Sequence, residues 1–197
     1  MKSKIWIGVV VFLIILVGVK IGSFFMKHES TIESEYYNNE KDINSLDDFY
    51  NTELTKNRDI RDLKKEYSIF DAQKDNCFVI GAMVHNENLY SEFMDKYNKK
   101  EDAFIRVAQS TTEGDVFIID VLFEAKNDKI HLVKDDTRDK FAAQEDRTIK
   151  YKTYEKTGVW NYNGSQYWVT YNGELPDGAN ADYAINSDDL FIIATIN

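Results

Sequence analysis

The sequence contains very little cysteine, proline or histidine. Its 197 residues include one Cys, one Pro and three His. One cysteine cannot form a disulfide within the chain or supply a cysteine-rich zinc or iron–sulfur site. One proline excludes collagen-like and polyproline architectures, and the three histidines are too scattered for a metal-binding motif. The sequence therefore predicts no metal and no other cofactor.

Basic residues are also scarce relative to acidic ones. The chain carries 24 Lys and Arg against 34 Asp and Glu, a formal net charge of -10. Binding to nucleic acid needs a basic surface that neutralises phosphates, so a nucleic acid partner is not expected. Hydrophobic residues make up 43% of the chain and aromatic residues 14%, which is enough for a packed core.

A long hydrophobic run lies at the N-terminus. Residues 5–26 carry a single charge, Lys20, and a helix of that length is about 33 Å long, close to the roughly 30 Å of a bilayer's hydrocarbon core. Lys2 and Lys4 precede the run, which favours a cytoplasmic N-terminus. Residues 1–27 are therefore predicted to be an uncleaved signal-anchor helix in the cell membrane, with the rest of the chain extracytoplasmic. A cleaved signal peptide is the alternative, although no Ala-x-Ala-like site follows the run.

The rest of the chain divides into a polar segment and one domain. Residues 28–45 are acidic and rich in asparagine, which predicts a linker, and residues 46–197 are predicted to form the extracytoplasmic domain. Ser45 and Asp48 have the spacing of a helix capping box. Apolar residues at helical spacing predict a second helix, or a continuation of the first, between residues 60 and 70.

Strand patterns dominate later segments. A helix led by Asn86 or Asn88 follows the first strand. Because helices come first and strands dominate later, the sequence predicts an α+β domain with helices packed on a mainly antiparallel β-sheet. In the third strand, Phe117, Ile119, Val121 and Phe123 are expected to face the core, while Asp120 and Glu124 face solvent or the sheet edge. His131 is expected to be solvent-exposed. The predicted strand regions are 77–84, 103–112, 116–125, 130–133, 149–153, 159–171 and 190–196.

The clearest local signal is the Asn163-Gly164 pair, which is typical of a type I′ turn in a β-hairpin. This turn pairs Trp160 with Tyr167 and places Tyr162 on the same face. An exposed aromatic face can stack on sugars or peptides. The alternative, which we favour, is that this face closes the core against the N-terminal helices.

A series of short motifs lies between residues 67 and 141. They are a helix entering a hydrophobic strand at 75–81, an Asn-led helix at 88–93, Ile105-Arg106-Val107, Thr111-Thr112-Glu113-Gly114-Asp115 and Asp136-Thr137-Arg138-Asp139-Lys140-Phe141. Their order resembles a family of exported Gram-positive bacterial proteins catalogued as domain of unknown function 4362. Many relatives look like lipoproteins, whereas this chain has the predicted anchor helix. The resemblance implies an exported protein and no activity, because the family is uncharacterised.

Charged residues in these motifs are candidate ligand-binding positions. Glu113 and Asp115 can present carboxylates to a cation or ligand, although acids are also common in tight turns for their solvation. Arg106 and Arg138 can grip an acidic ligand or form ion pairs with nearby carboxylates such as Asp136. In each case we favour the structural role.

No motif in the sequence identifies a catalytic site. The leading hypothesis is a non-enzymatic, membrane-tethered module that binds a protein or a cell-envelope component. The alternative is an envelope-associated hydrolase whose acidic catalytic residues the sequence does not identify. A loop at 177–182 resembles a calcium-binding loop only in part, because it lacks the EF-hand spacing. The candidate ligand-binding residues are Arg106, Glu113, Asp115, Asp136, Arg138, Trp160, Tyr162 and Tyr167.

Overall fold

The structure, a computed structural model, describes residues 42–111, 114–176 and 188–196. The predicted anchor at 5–26 and nearly all of the predicted linker lie outside these residues, as does the loop at 177–182. Within the described ranges, no helix is long and apolar enough to cross a membrane. The compact unit that contains the domain runs from Ile43 to Asn197.

Short helices precede and interrupt two β-sheets. The helices are α1 (Leu46–Tyr50), α2 (Ile69–Lys74) and α3 (Asn88–Asn98), with 3-10 turns at Ile60–Asp62 and Gln144–Asp146. The strands are β1 (Phe78–Ile80), β2 (Ala103–Ser110), β3 (Val116–Glu124), β4 (Lys129–Asp135), β5 (Ile149–Tyr154), β6 (Lys156–Tyr162), β7 (Ser165–Tyr171) and β8 (Leu190–Thr195).

The strands form a five-stranded sheet in the order β1-β2-β3-β4-β5 and a three-stranded sheet in the order β6-β7-β8. β1 runs parallel to β2, and every other neighbouring pair is antiparallel. The prediction of an α+β fold with a mainly antiparallel sheet is therefore confirmed.

The start of α1 agrees with the sequence, but the second predicted helix does not form as expected. Ser45 accepts a hydrogen bond from the backbone N–H of Asp48 at 3.1 Å and so caps α1. The expected helix across residues 60–70 is wrong. The 3-10 turn at Ile60–Asp62 ends at Leu63, whose backbone is extended, and Ser68 forms a separate capping box that starts α2.

The five-stranded sheet is covered on both faces. Ile119, Val121 and Phe123 face a core shared with α3 and the three-stranded sheet, where Phe93 and Trp168 are also buried. The opposite face packs under the segments that contain α1, the first 3-10 turn and α2. Because both faces are covered, the sheet offers few positions to solvent.

This double covering overturns two predictions about exposure. Asp120 was expected to face solvent or the sheet edge, yet it is fully buried on the central strand β3, and His131 is only 2% exposed. Both side chains lie on the face that the N-terminal segments cover. Alternation of apolar and polar residues predicts a solvated face only when one face of a sheet is free, and here neither is.

The Asn163-Gly164 prediction is confirmed. Asn163 and Gly164 have φ values of 49° and 79°, the positive values that a type I′ turn requires. The register pairs Trp160 with Tyr167 and Tyr162 with Ser165.

Candidate functional site

Three loops emerge at the same end of the five-stranded sheet. Parallel pairing of Ile80 with Gln109 places the loop after β1 beside the end of β2. Antiparallel pairing of Ser110 with Val116 and of Ile118 with Asp135 brings the β2–β3 turn and the segment after β4 to that same end.

A cavity of about 300 Å³ opens at this end, between the start of α2 and the β2–β3 turn. Of the predicted ligand-binding residues, Asp115 and Arg138 both line it, and Glu113 lies outside the described residues. The lining residues are Lys65, Glu66, Tyr67, Ser68, Ile69, Phe70, Gly114, Asp115, Val116, Arg138 and Lys140.

Hydrogen bonds fix the charged rim of this cavity. The Asp115 carboxylate accepts a hydrogen bond from the backbone N–H of Lys140 at 2.7 Å. The Lys140 ammonium in turn lies 3.4 Å from the carboxylate of Glu66. Within the turn, the N–H of Thr111 donates to the carbonyl of Asp115 at 2.8 Å, and Gly114 has a φ of 91°. The backbone of Asp115 therefore closes the turn, and its carboxylate holds the cavity wall in place.

Arg138 forms part of the wall, but its donors are already used. Its guanidinium pairs with Asp135 and donates to the carbonyls of Leu63, at 3.1 Å, and Lys64, at 3.4 Å. The side chain is 8% exposed. Burial, with the nearby charge of Arg106, lowers the pKa of Arg138. Through these contacts Arg138 joins β4 to the chain that precedes α2.

Arg106 is a second structural arginine, and it lies away from the cavity. Its Nε and NH2 groups each donate to the carboxylate of Asp120 at 2.6 Å, and NH2 also donates to the carbonyl of Arg58. The Tyr50 hydroxyl donates to the same carboxylate at 2.8 Å. Burial opposes the charge of Arg106, but Asp120 outweighs burial and raises the arginine's pKa. Burial, followed by the charge of Asp120, raises the pKa of Tyr50.

Asp136 belongs neither to the cavity lining nor to the group of residues around Arg106 and Asp120. Its carboxylate pairs with Lys134 at 2.8 Å, and its backbone N–H donates to the carbonyl of Thr148 at 3.1 Å. These contacts hold the chain as it leaves β4.

The same end of the sheet carries the most exposed large apolar side chains of the described residues. Phe70 is 72% exposed, Met83 70%, Val84 51% and Phe141 71%. Phe70 lines the cavity, and Phe141 directly follows the rim residue Lys140. We call Phe70, Met83, Val84 and Phe141 the apolar end. Sequence reasoning missed it because it assigned Phe70 to the helix predicted between residues 60 and 70, and Met83 and Val84 to the strand predicted at 77–84, whereas β1 ends at Ile80.

The aromatic face of the hairpin is buried in a way that the sequence did not predict. Trp160 is 4% exposed, stacks on Tyr162 with ring centroids 4.8 Å apart, and donates from Nε1 to the carbonyl of Pro176 at 2.9 Å. Tyr167 is half-buried in the same cluster. The expected closure of the core against the N-terminal helices is wrong, because Trp168 on the opposite face of the hairpin enters the main core. The Trp160 ring is covered and offers no open stacking surface.

The described residues contain no group of three or more His, Cys, Asp or Glu side chains that could hold a metal ion. The most buried carboxylates, Asp120 and Asp135, each pair with an arginine. Asp120 also accepts from the Tyr50 hydroxyl and Asp135 from the backbone and hydroxyl of Thr137, so the geometry gives both carboxylates a structural role.

Comparison with known proteins supports the family resemblance. Residues 74–163 match the family model described as Domain of unknown function (DUF4362), which confirms the similarity seen in the sequence motifs. No curated protein matches the chain, and no solved structure does. The matched segment contains the rim residues Asp115 and Lys140, whereas the cavity wall at residues 65–70 precedes it.

Proposed function

We propose that this chain, whose residues 74–163 match the DUF4362 model, is a membrane-tethered extracytoplasmic module that captures a component of the cell envelope through its apolar end. The apolar chemistry of that surface favours a protein as the partner. The single observation that carries the proposal is the exposure of the four apolar side chains at one end of the sheet.

Exposure of this kind is costly unless a partner covers it. A large apolar side chain loses about 1.5–3 kcal/mol of burial free energy when it stays in water. Met83 and Phe141 come from separate segments that the strand register brings to one end. Phe70 comes from α2 and lies at the same end, because it lines the cavity with Asp115 and Lys140. Apolar surface that several loops build together, beside a cavity, is typical of protein interaction sites.

The charged groups around the cavity resemble the polar rim of an interface. Lys65 and Lys140 supply positive charge, and Glu66 and Asp115 supply negative charge. A rim of both signs orients a partner by complementary pairing and excludes partners of the wrong pattern. A partner protein whose own surface combines apolar side chains with charges of both signs matches the cavity and its rim.

The membrane tether is supported by the N-terminal sequence alone. Residues 5–26 have the length and hydrophobicity of a single span, and Lys2 and Lys4 favour a cytoplasmic N-terminus. The domain then faces the outside of the cell membrane, where the partner is another envelope component.

Pull-down of the full-length protein from detergent-solubilised membranes tests the proposal. We expect Phe141→Ser and Phe70→Ser each to reduce partner recovery at least tenfold, because both side chains are exposed and contribute little to folding. Val159→Ser is the matched control, since Val159 is 41% exposed on β6, outside the apolar end.

The outcomes separate the possibilities. Loss of a recovered protein in both Phe variants, with the control unchanged and melting temperatures equal, supports the proposal. Recovery of the same proteins by all three variants contradicts it. If no protein is recovered but the chain binds isolated wall polymer or lipid in a way that depends on Phe141, the partner is that polymer or lipid and not a protein.

A further inference from the structure

A buried histidine connects the five-stranded sheet to the first residue of the compact unit. His131 Nε2 lies 3.1 Å from the carboxylate of Glu124, and its Nδ1 lies 2.8 Å from the Tyr151 hydroxyl. That hydroxyl donates to the carbonyl of Ile43 at 3.1 Å. Ile43 is itself buried at the N-terminal boundary of the domain.

These three contacts need more protons than a neutral imidazole supplies. The Glu124 carboxylate and the Ile43 carbonyl can only accept hydrogen bonds. Nε2 must therefore carry a proton for Glu124, and the Tyr151 hydroxyl must direct its only proton to Ile43. The hydroxyl oxygen is then an acceptor toward Nδ1, so Nδ1 must carry a proton as well. The imidazolium alone has both ring protons.

Neutral His131 has to give up one contact. When Glu124 holds the single ring proton on Nε2, Nδ1 becomes an acceptor and competes with the Ile43 carbonyl for the proton of Tyr151. The Thr153 hydroxyl, 3.3 Å away, donates to the Tyr151 oxygen and does not supply the missing proton to Ile43. Tyr151 can satisfy His131 or Ile43, but not both.

We propose that His131, Tyr151 and Ile43 form a proton-controlled clasp. Uptake of one proton at Nδ1 of His131 returns the Tyr151 proton to the Ile43 carbonyl and tightens the chain where it enters the domain. Loss of that proton redirects the Tyr151 hydroxyl to the histidine and loosens the same point. No covalent bond changes in either direction.

Charged groups on the surrounding elements set the pH at which the clasp closes. Glu124 on β3 favours the imidazolium, and Lys129 on β4 disfavours it, while Asp48 of α1 acts on Tyr151. Burial outweighs Glu124 and lowers the pKa of His131 below its ordinary value of 6.5. Burial also raises the pKa of Tyr151, so the phenol keeps its proton throughout. The clasp is therefore open at neutral pH and closes on acidification.

NMR of the isotope-labelled full-length protein in detergent micelles tests the clasp. Between pH 8 and pH 4.5, we expect the carbonyl 13C resonance of Ile43 to move downfield as it gains the hydrogen bond. Its midpoint should equal that of the His131 ring 15N resonances, which should show the Nε2–H tautomer at pH 8. In Tyr151→Phe, His131 should still titrate while the step at Ile43 disappears.

His85→Gln is the control for histidine titration, because His85 lies in an isolated bridge with Val79, on the far side of the sheet from β5. It should leave the Ile43 step unchanged, whereas His131→Gln should remove it. An Ile43 resonance that does not titrate, that titrates in His131→Gln, or that accompanies an Nδ1–H tautomer at pH 8 overturns the proposal.

Discussion

At the scale of single residues, two largely buried arginines hold the N-terminal segments on the sheet. Arg106 bridges Asp120 and the carbonyl of Arg58, and Arg138 bridges Asp135 and the carbonyl of Leu63. Each arginine therefore joins a strand to the non-helical chain between α1 and α2. Arginine suits this role better than lysine, because its planar guanidinium can donate to a carboxylate and to a carbonyl at the same time.

We predict that Arg106→Met destabilises the domain by roughly 3–5 kcal/mol, because it leaves the fully buried Asp120 carboxylate without its ion-pair partner. Arg61→Met is the control. Arg61 pairs with Asp59 and Asp47 but is 44% exposed, and exposed pairs contribute about 0–1 kcal/mol. Urea unfolding measures both. Arg106→Met with Asp120→Leu should recover much of the loss, and equal effects of the two single variants would contradict the role given to Arg106.

His131 predicts a pH dependence of stability. Burial lowers the pKa of His131 in the folded protein, so the unfolded chain binds more protons than the folded one once the pH drops below about 6.5. The stability contributed by neutral His131 is complete above that value and is lost as the pH falls through the folded pKa. Urea unfolding of wild type, His131→Gln and His85→Gln between pH 7.5 and pH 5 measures this. Only His131→Gln should have a reduced slope, and an unchanged slope in that variant would contradict the prediction.

At the scale of elements, the sequence predicted features that depend on neighbours in the chain. The Asn163-Gly164 turn and the Ser45 cap each need only a few adjacent residues, and both formed as expected. The burial of Asp120 and His131 depends on which segments cover each face of the sheet. Those segments are distant in sequence, so no local period reveals them.

The hairpin illustrates the same limit. Both of its faces carry a tryptophan, and the pattern alone cannot say which one enters the main core. In the structure it is Trp168 that enters the main core, and its ring centroid lies 5.0 Å from that of Tyr90 and 5.5 Å from that of Phe93. Trp160 instead belongs to a smaller cluster on the outer face. The turn was predictable, but the orientation of the hairpin was not.

We predict that Trp168→Ala costs about 3–5 kcal/mol, because it leaves a cavity in the main core. Its cross-strand partner Val159 is 41% exposed and provides the control within the same residue pair. Val159→Ala should stay within about 0.5 kcal/mol of wild type. Urea unfolding followed by far-UV circular dichroism compares them, and a small effect of Trp168→Ala would show that the hairpin packs by its other face.

At the scale of the whole molecule, the proposed membrane anchor and linker precede a domain that carries the apolar end. The α+β fold and the family match stand on the described residues, while the anchor stands on the N-terminal sequence. The acidic charge of the domain favours a position away from the bilayer, because an acidic domain is repelled by an anionic membrane surface. We expect the linker predicted at residues 28–45 to separate the apolar end from the bilayer.

The topology of the full chain is a prediction at this scale. Protease added to intact protoplasts should digest the domain, because Lys2 and Lys4 favour a cytoplasmic N-terminus. The purified protein should begin at Met1 or Lys2, since no small-residue cleavage site follows the apolar run. A mature N-terminus beyond residue 20, or a protease-resistant domain, would contradict the anchor.

The most direct test of the central claim is site-specific photo-cross-linking in living cells. A photoreactive phenylalanine analogue placed at Phe141 in the full-length protein should yield a discrete cross-linked envelope protein, because that side chain is 71% exposed within the apolar end. The same analogue at Val159, on β6, should yield none. Cross-links of equal intensity at both positions, or at Val159 alone, would contradict binding through the apolar end.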